Sequence, residues 1–144
     1  MIENFEKLTF HRKIDVLVAM HVMGWKEIRI EEKEWEMGGG QKYWACYGIS
    51  PGIELTNDIP LYSVLLTSAW DIVRKFDYIN LFRSTDFKGG QWECKLFDKR
   101  GVIKMGEPNY YGWAETEMLA ICYAGLKAVK MGEYLKLFLQ EESK

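Results

Sequence analysis

The chain has 144 residues and a formal net charge of −2, and apolar residues make up 48% of it. This length fits one ordinary domain with one hydrophobic core. The net charge argues against duplex DNA as the main partner, because binding a polyanion needs an excess of Lys and Arg on one face. No stretch reaches the roughly 18 uninterrupted apolar residues of a membrane span, and the N-terminus lacks the apolar core of a signal peptide. We therefore expect a globular cytosolic protein.

The cysteines and aromatic residues indicate which kinds of site the chain can form. Cys46, Cys94 and Cys122 lie far apart and form no C-x-x-C pair, so neither a disulfide framework nor a zinc site is expected. The aromatic share of 15% is high for a domain of this size. Aromatic side chains offer a large contact area at low entropic cost, so the excess either fills the core or faces a ligand or partner.

The first 62 residues predict a helix, a β-hairpin and a loop. Apolar residues at helical spacing predict an amphipathic helix over about 9–23, with Gly24 just past its end. Strand-like segments on either side of the Gly38-Gly39-Gly40 triplet predict a hairpin over 25–49 with a flexible glycine tip. The turn residues that follow predict a loop over 50–62.

The middle of the chain predicts a second helix and further strands. Ser63 is a candidate N-cap for a helix whose apolar stripe runs to about Phe76. Two or three strands are expected after it, over 79–84 and 91–97 and, as the third, over 102–105.

The last part of the chain predicts an exposed loop at 110–113 and then a third helix. Acidic residues fall in the first turn of this helix and lysines in its last turn, which complements the helix dipole. The helix has almost no polar face, so we expect the sheet to bury one side and another element or another subunit to bury the other. The tail over 133–144 has helical apolar spacing and is expected to pack back or to lie at an oligomer interface.

Three groups of segments carry a resemblance to a known family. In chain order they are Ile14–Ala19 with Val22–Trp25, Pro60–Ser63 with Ala69-Trp70, and Leu119–Val129. Their joint order and spacing resemble the phage ABA sandwich domain family, small α/β proteins encoded by bacteriophages and prophages. The chain departs from the family pattern at Val64-Leu65, where members usually carry Thr-Asp.

The resemblance and the residue patterns imply the same architecture. We expect a single α+β domain over 1–144, in the order α-β-β-α-β-β-(β)-α, with an antiparallel-rich sheet covered by helices. The resemblance also implies that the protein works in the host bacterial cytoplasm.

The sequence offers little for catalysis. His11 and His21 both fall on the first helix and point about 80° apart at 100° per residue, so they cannot share a metal as an i, i+4 pair does. His21 is expected on the apolar face. The motifs of serine hydrolases, zinc proteases and P-loops are missing, and the glycine triplet precedes Tyr43 and Trp44 in a strand instead of a Lys-Ser/Thr pair before a helix. We therefore expect a binding protein and not an enzyme, without cofactor or metal.

A set of aromatic and basic residues suits a nucleotide, because bases stack on rings and phosphates pair with Arg or Lys. The alternative is a purely structural role, in which half of the rings fill the core and the cations are ordinary surface residues. The candidate ligand-binding residues are Trp35, Lys42, Trp44, Tyr62, Arg74, Arg83, Lys88, Trp92, Tyr110, Tyr111 and Trp113, with Tyr43 adjoining them.

Two functional hypotheses follow. In the first, a homo-oligomer binds and sequesters a small host nucleotide signal and so counters host defence. In the second, the protein is an inhibitor or adaptor that acts on a host protein. A concave pocket lined by rings and cations would favour the nucleotide, whereas a flat exposed apolar patch would favour the protein partner.

Overall fold

The computed structural model describes residues 2–37, 39–83, 91–97 and 110–129. It contains helices and two antiparallel three-stranded sheets, which confirms the predicted mixed α+β class. The chain divides into two compact units, Met1–Pro60 and Leu61–Lys144. The single domain over 1–144 stays a prediction. The expected strand over 102–105, the tail over 133–144 and Lys88 lie outside the described residues.

The first unit opens with a short 3₁₀ turn, Phe5–Lys7, and helix α1, Phe10–Leu17, which continues as a π-helical segment, Val18–Val22. The Thr9 hydroxyl caps α1 by accepting a hydrogen bond from the Arg12 amide at 3.4 Å. Gly24 follows with φ +81°, a left-handed conformation that glycine adopts at little cost. The predicted first helix is confirmed.

A β-hairpin and a short third strand complete the first unit. Strands β1, Lys26–Glu34, and β2, Lys42–Ile49, pair antiparallel, as the hairpin prediction requires. Strand β3, Thr56–Asp58, pairs with the end of β2, so the prediction of a loop throughout 50–62 is wrong at these residues. All three residues of β3 are polar and exposed, and such a strand leaves no alternating pattern in the sequence.

A buried ion pair ties α1 to the end of the first unit. The Arg12 guanidinium lies 2.9 Å from the carboxylate of Asp15, whose side chain is fully buried. Arg12 also donates hydrogen bonds to the backbone carbonyls of Pro60, at 3.2 Å, and Ile59, at 3.0 Å. One guanidinium thus satisfies a buried carboxylate and two carbonyl oxygens.

The second unit contains two helices and the second sheet. Its elements in chain order are α2, Leu66–Val73; β4, Tyr78–Arg83; β5, Trp92–Phe97; β6, Tyr110–Ala114; and α3, Glu117–Ala128. The sheet order is β4-β5-β6, and both neighbouring pairs are antiparallel.

Two local predictions in the second unit are wrong. The N-cap of α2 is Leu65, in extended conformation and without a side-chain cap, whereas the expected cap Ser63 is buried. Residues 110–113 belong to β6 and are not an exposed loop, and Gly112 is buried. A Cβ on Gly112 would meet the Ala120 carbonyl oxygen and lie 2.6 Å from the Ala124 amide nitrogen, so this glycine lets α3 lie close on the strand.

Helix α3 is the centre of the second unit. Eight consecutive residues, from Leu119 to Leu126, are all buried, so every face of this stretch is covered. The helix packs against β5 and β6 and also against α2. This confirms the expectation of a helix buried on both sides, and α2 of the same chain takes part in covering it.

Candidate functional site

The two faces of the β1–β2 hairpin carry different side chains. Directly paired residues of an antiparallel sheet share a face, and the register pairs Ile30 with Cys46 and Glu32 with Trp44. Ile30 and Cys46 are 3% and 2% exposed, so this face is the inner one. Alternate residues of a strand share a face, so Lys42 and Trp44 lie on the same face of β2 as Cys46. These two predicted site residues therefore belong to the inner face.

The outer face of the hairpin brings rings and cations together. The ring centroids of Trp35 and Tyr43 lie 4.5 Å apart with an interplanar angle of 33°, and Trp35 is 56% exposed. The Lys33 ammonium lies 4.9 Å from the ring centroid of Tyr47, within cation–π range. Arg29 pairs with Tyr47 in the register. We call these five residues the ring face: Arg29, Lys33, Trp35, Tyr43 and Tyr47.

Charges on the ring face are mixed but favour cations. The Tyr47 hydroxyl donates a hydrogen bond to the Glu31 carboxylate, and this bond, with some burial, raises the pKa of Tyr47, while Arg29 opposes the rise. Two cationic side chains, Arg29 and Lys33, therefore accompany one carboxylate. The face can offer positive charge to an anion without forming a strongly basic patch.

The predicted residues Lys42 and Trp44 lie on the opposite face of the hairpin from Trp35. The Lys42 ammonium lies 3.4 Å from the carboxylate of Glu32, and both side chains remain substantially exposed. Trp44 is half-buried. Lys42 and Trp44 thus do not join Trp35, although all three lie near the glycine tip.

The predicted residues of the second unit occupy different environments. Tyr62 is 2% exposed and is a core residue. The Arg74 guanidinium lies 2.9 Å from the carboxylate of Asp71. Arg83, at the end of β4, pairs in register with Trp92 of β5, and Trp92 is half-buried.

The second sheet brings together two further predicted residues. The ring centroids of Tyr111 and Trp113 lie 5.4 Å apart in an edge-to-face arrangement, and the Lys127 ammonium lies 5.7 Å from the Tyr111 centroid. Burial raises the pKa of Tyr111. Of Tyr110 the structure describes the backbone, which pairs with Leu96 in the sheet.

A buried carboxylate accompanies these rings. Glu93 is 5% exposed, pairs in register with Trp113, and lies 3.5 Å from the Lys95 ammonium. The half-buried ammonium of Lys95 compensates the charge of the buried Glu93 carboxylate, so the two form a satisfied ion pair. In the sheet register this pair lies beside Tyr111 and Trp113.

Sequence reasoning found Trp35 and Tyr43 but missed three members of the ring face: Arg29, Lys33 and Tyr47. The signal for them was present in the predicted hairpin. Once β1 and β2 are paired through the glycine tip, alternate residues of the two strands fall on one face. Combining that alternation with the register would have grouped the cations of β1 with the tyrosines of β2.

The described residues of the first unit also line two shallow cavities. One, of about 430 Å³, is lined by Ile2, Glu3, Asn4 and residues 28–31. The other, of about 420 Å³, is lined by Gly24, Lys26, residues 49–52 and Glu54. Neither has an aromatic ring in its lining. The ring-face residues other than Arg29 line neither cavity, so a ligand on the ring face would be held by stacking on its rings and not by enclosure.

The second unit exposes a run of apolar side chains before and within α2. Five residues between positions 61 and 70 are between 38% and 47% exposed. The turn is closed by hydrogen bonds from the Val64 and Leu65 amides to the Leu61 carbonyl, at 3.1 and 2.8 Å. We call this set the apolar segment: Leu61, Val64, Leu65, Leu66 and Trp70.

Two further findings concern the described part of the chain. Within it, no group of three or more His, Cys, Asp or Glu side chains is arranged to hold a metal ion. None of its helices combines the length and apolar character needed to cross a membrane.

Comparison with known proteins places the chain in a family. No curated protein and no solved structure matches it. The family model of the phage ABA sandwich domain matches residues 16–126, which are 111 of the 144 residues. The matched range begins in α1 and ends in α3, and so includes residues of both units. The chain belongs to the phage ABA sandwich domain family.

Proposed function

We propose that this phage-family protein binds a small nucleotide on the ring face of its β1–β2 hairpin. The observation that carries the proposal is the pair of adjacent rings, Trp35 and Tyr43, with Trp35 more than half exposed next to a lysine. Stacking of a base on an aromatic side chain contributes about 1–3 kcal/mol and tolerates any base.

The cations of the ring face suit the phosphates of such a ligand. Lys33 lies two residues from Trp35 and is paired with Tyr43. Arg29 lies six residues from Trp35 and is paired with Tyr47. Each cation of β1 thus lies beside a ring, with Glu31 between the two cations on the same face. Arg and Lys form charge-assisted hydrogen bonds with phosphate oxygens. Two cations match one or two phosphates, and the nearby Glu31 together with the net charge of −2 disfavours a long polyanion.

The proposed role is retention of the nucleotide without reaction. The Tyr47 hydroxyl of the ring face donates a hydrogen bond to the Glu31 carboxylate, and this bond raises the pKa of Tyr47, so the phenol stays protonated near neutral pH and is a weak nucleophile. A phage protein that holds a nucleotide made by the host removes it from host signalling. Sequestration of a host nucleotide signal is therefore the function that we infer.

The test is a thermal-melt and tryptophan-fluorescence titration of the full chain. The compounds are linear and cyclic di- and trinucleotides and adenosine diphosphate ribose derivatives. A ligand present at 100 times its Kd should stabilise the folded protein by about 2.7 kcal/mol. The Trp35→Ala and Lys33→Ala variants should lose this stabilisation, whereas Trp70→Ala, at an exposed tryptophan of the second unit, should keep it.

The controls separate the site from the fold. Both ring-face variants alter exposed side chains, so their melting temperatures without ligand should stay close to that of the wild type. Absence of stabilisation by every compound in folded wild-type protein would refute the nucleotide proposal. Stabilisation that survives both ring-face substitutions would place the ligand elsewhere.

A second candidate function rests on the apolar segment. Exposed clusters of apolar side chains on soluble proteins mark surfaces for partners, and we propose a host protein as the alternative ligand. The departure from the family pattern at Val64-Leu65 contributes two members of this cluster. The test is affinity capture from host cells with the wild type and with Leu66→Ser/Trp70→Ser. A host protein bound by the wild type and by Trp35→Ala, but lost with the double variant, would favour this candidate.

A further inference from the structure

Strand β4, Tyr78–Arg83, forms one edge of the second sheet, and within the described residues β5 is its one strand neighbour. Its sequence, Tyr-Ile-Asn-Leu-Phe-Arg, contains one charged residue. Tyr78 is 56% and Phe82 39% exposed. Natural edge strands are usually protected from pairing by charges, proline or bulges. The edge strand β1 follows that rule, with seven charged residues among nine and an irregular register near Lys26.

We propose that β4 is a dimerisation edge, which pairs antiparallel with β4 of a second copy of this chain. The pairing has a two-fold axis at Asn80 and joins two three-stranded sheets into one of six strands. A two-fold interface of this kind is closed, so it yields a dimer and not a filament.

In this register β4, together with Asp77 directly before it, is complementary to the same residues of a second copy. With Asn80 opposite Asn80 of the partner subunit, Tyr78 lies opposite Phe82 of the partner subunit, and Asp77 lies opposite Arg83 of the partner subunit. Each pairing occurs twice by symmetry. Aromatic pairs and opposite charges directly across an antiparallel ladder are stabilising. Asp77, Tyr78, Phe82 and Arg83 are all exposed in the single chain.

Neighbouring registers lack this complementarity. An axis at Ile79 would place Tyr78 opposite Asn80 and Asp77 opposite Leu81. An axis at Leu81 would place Arg83 opposite Ile79. The side chain of Phe82 is also held on the outer face of the sheet, where the Lys95 ammonium lies 5.4 Å from its ring centroid. The register centred on Asn80 is therefore the one that the sequence of β4 selects.

The first experiment is a charge-reversal cycle measured by sedimentation equilibrium. We expect a wild-type dimer at micromolar concentration. Asp77→Arg and Arg83→Asp should each weaken the dimer tenfold or more, because like charges then oppose each other, and the double reversal should restore it. Arg74→Asp, a charge reversal on the exposed surface next to α2, should leave dimerisation unchanged.

The second experiment traps the axis directly. Directly opposed residues of antiparallel strands have Cα atoms about 4.5–5.5 Å apart, within the range of a disulfide. Asn80→Cys should therefore form a disulfide between two chains on mild oxidation, whereas Tyr78→Cys should not, since its own counterpart lies four residues away along the partner strand. The native cysteines are buried and do not compete.

A monomeric wild type at 100 μM would overturn the proposal. So would a dimer that is indifferent to both charge reversals, or one in which Tyr78→Cys cross-links as readily as Asn80→Cys. Circular dichroism of each variant identifies any that has failed to fold, and the cross-linking pair then decides the register without the charge reversals.

Discussion

Asp15 and Asp71 each pair with an arginine three residues away along a helix, and the nitrogen–oxygen distance is 2.9 Å in both pairs. The pairs differ in burial: the Asp15 side chain is fully buried, whereas that of Asp71 is 42% exposed. Water solvates the charges of an exposed ion pair and screens their attraction, so the pair contributes little to stability. A buried charge has lost its hydration, so removing its partner strongly destabilises the fold. The two ion pairs have the same distance, but we expect them to contribute differently to the free energy of unfolding.

This contrast gives a matched pair of substitutions. Asp15→Asn leaves the buried end of Arg12 without its carboxylate, and we expect the free energy of unfolding to fall by about 3 kcal/mol or more. Asp71→Asn should change it by less than about 1 kcal/mol. Urea unfolding of the three proteins measures both values. Similar losses from the two substitutions would show that the Arg12–Asp15 pair is not an anchor of the first unit.

Tyr62 provides a second prediction at this scale. Its ring is 2% exposed, so Tyr62→Ala leaves a cavity and should cost about 3–5 kcal/mol, as for other large aromatic side chains. We expect folding to suffer more than ligand binding. The melting temperature and the nucleotide titration are measured together, and an unchanged melting temperature with lost binding would make Tyr62 a ligand residue after all.

The candidate site could be predicted from the sequence in part. The sequence shows which residues are aromatic or basic, but it does not show which of them are buried. Tyr62 and Trp35 are equally plausible ligand-binding residues in the sequence, yet Tyr62 is buried and Trp35 is more than half exposed. The cation–π pair of Lys33 and Tyr47 depends on strand register, which joins residues 14 positions apart. Residue type alone does not supply that information.

At the scale of elements, Gly112 sets how closely β6 and α3 approach. Gly112→Ala would place a methyl group against the Ala120 carbonyl, a rigid backbone atom, so we expect a loss of several kcal/mol or failure to fold. Gly48→Ala is the milder comparison: its Cβ would lie 3.0 Å from the Lys26 carbonyl oxygen and 3.1 Å from a side-chain carbon of Ile28, so a shift of a few tenths of an ångström relieves it and we expect a smaller loss. Thermal melts of both variants test the difference. Equal stability of the two would show that α3 can shift away from the strand freely.

Helices and long strands could be predicted because their apolar periodicity is strong, and α1, α2, α3 and the hairpin all lie where it places them. The shorter strands could not, since β3 is wholly polar and β6 contains the glycine that its helix contact requires. His21 was expected on the apolar face but is exposed. It lies in the π-helical segment, whose wider turn changes the angular position of each residue relative to a regular α-helix.

At the scale of the whole molecule, two buried titratable groups make the free energy of unfolding fall as the pH rises into the alkaline range. Burial raises the pKa of the Cys94 thiol from 9.0 to about 12, and it raises the pKa of Tyr123 from 10.0 to about 12, with smaller effects of Cys122 and Glu115. Both groups stay protonated in the folded state at pH values where the unfolded chain has already lost these protons.

We therefore expect the stability contributed by these two groups to be fully present below pH 9 and to be lost progressively between pH 9 and about 12. Each group contributes up to about 1.4 kcal/mol per pH unit in its own window. Tyr123→Phe keeps the ring and removes the hydroxyl, so its melting temperature should fall less steeply with pH than that of the wild type. Thermal melts from pH 7 to 11 measure the slopes. A wild-type melting temperature that does not change over this range would contradict the prediction.

The complete burial of α3 has a consequence for synthesis. The helix is the last described element of the chain, yet β5, β6 and α2 all pack against it. A growing chain therefore carries these elements out of the ribosome with their apolar faces exposed, and the second unit gains its core only when residues up to about 126 have emerged. Until then, we expect the nascent second unit to expose apolar surface and to be prone to aggregation, whereas the first unit has all its described elements by residue 60.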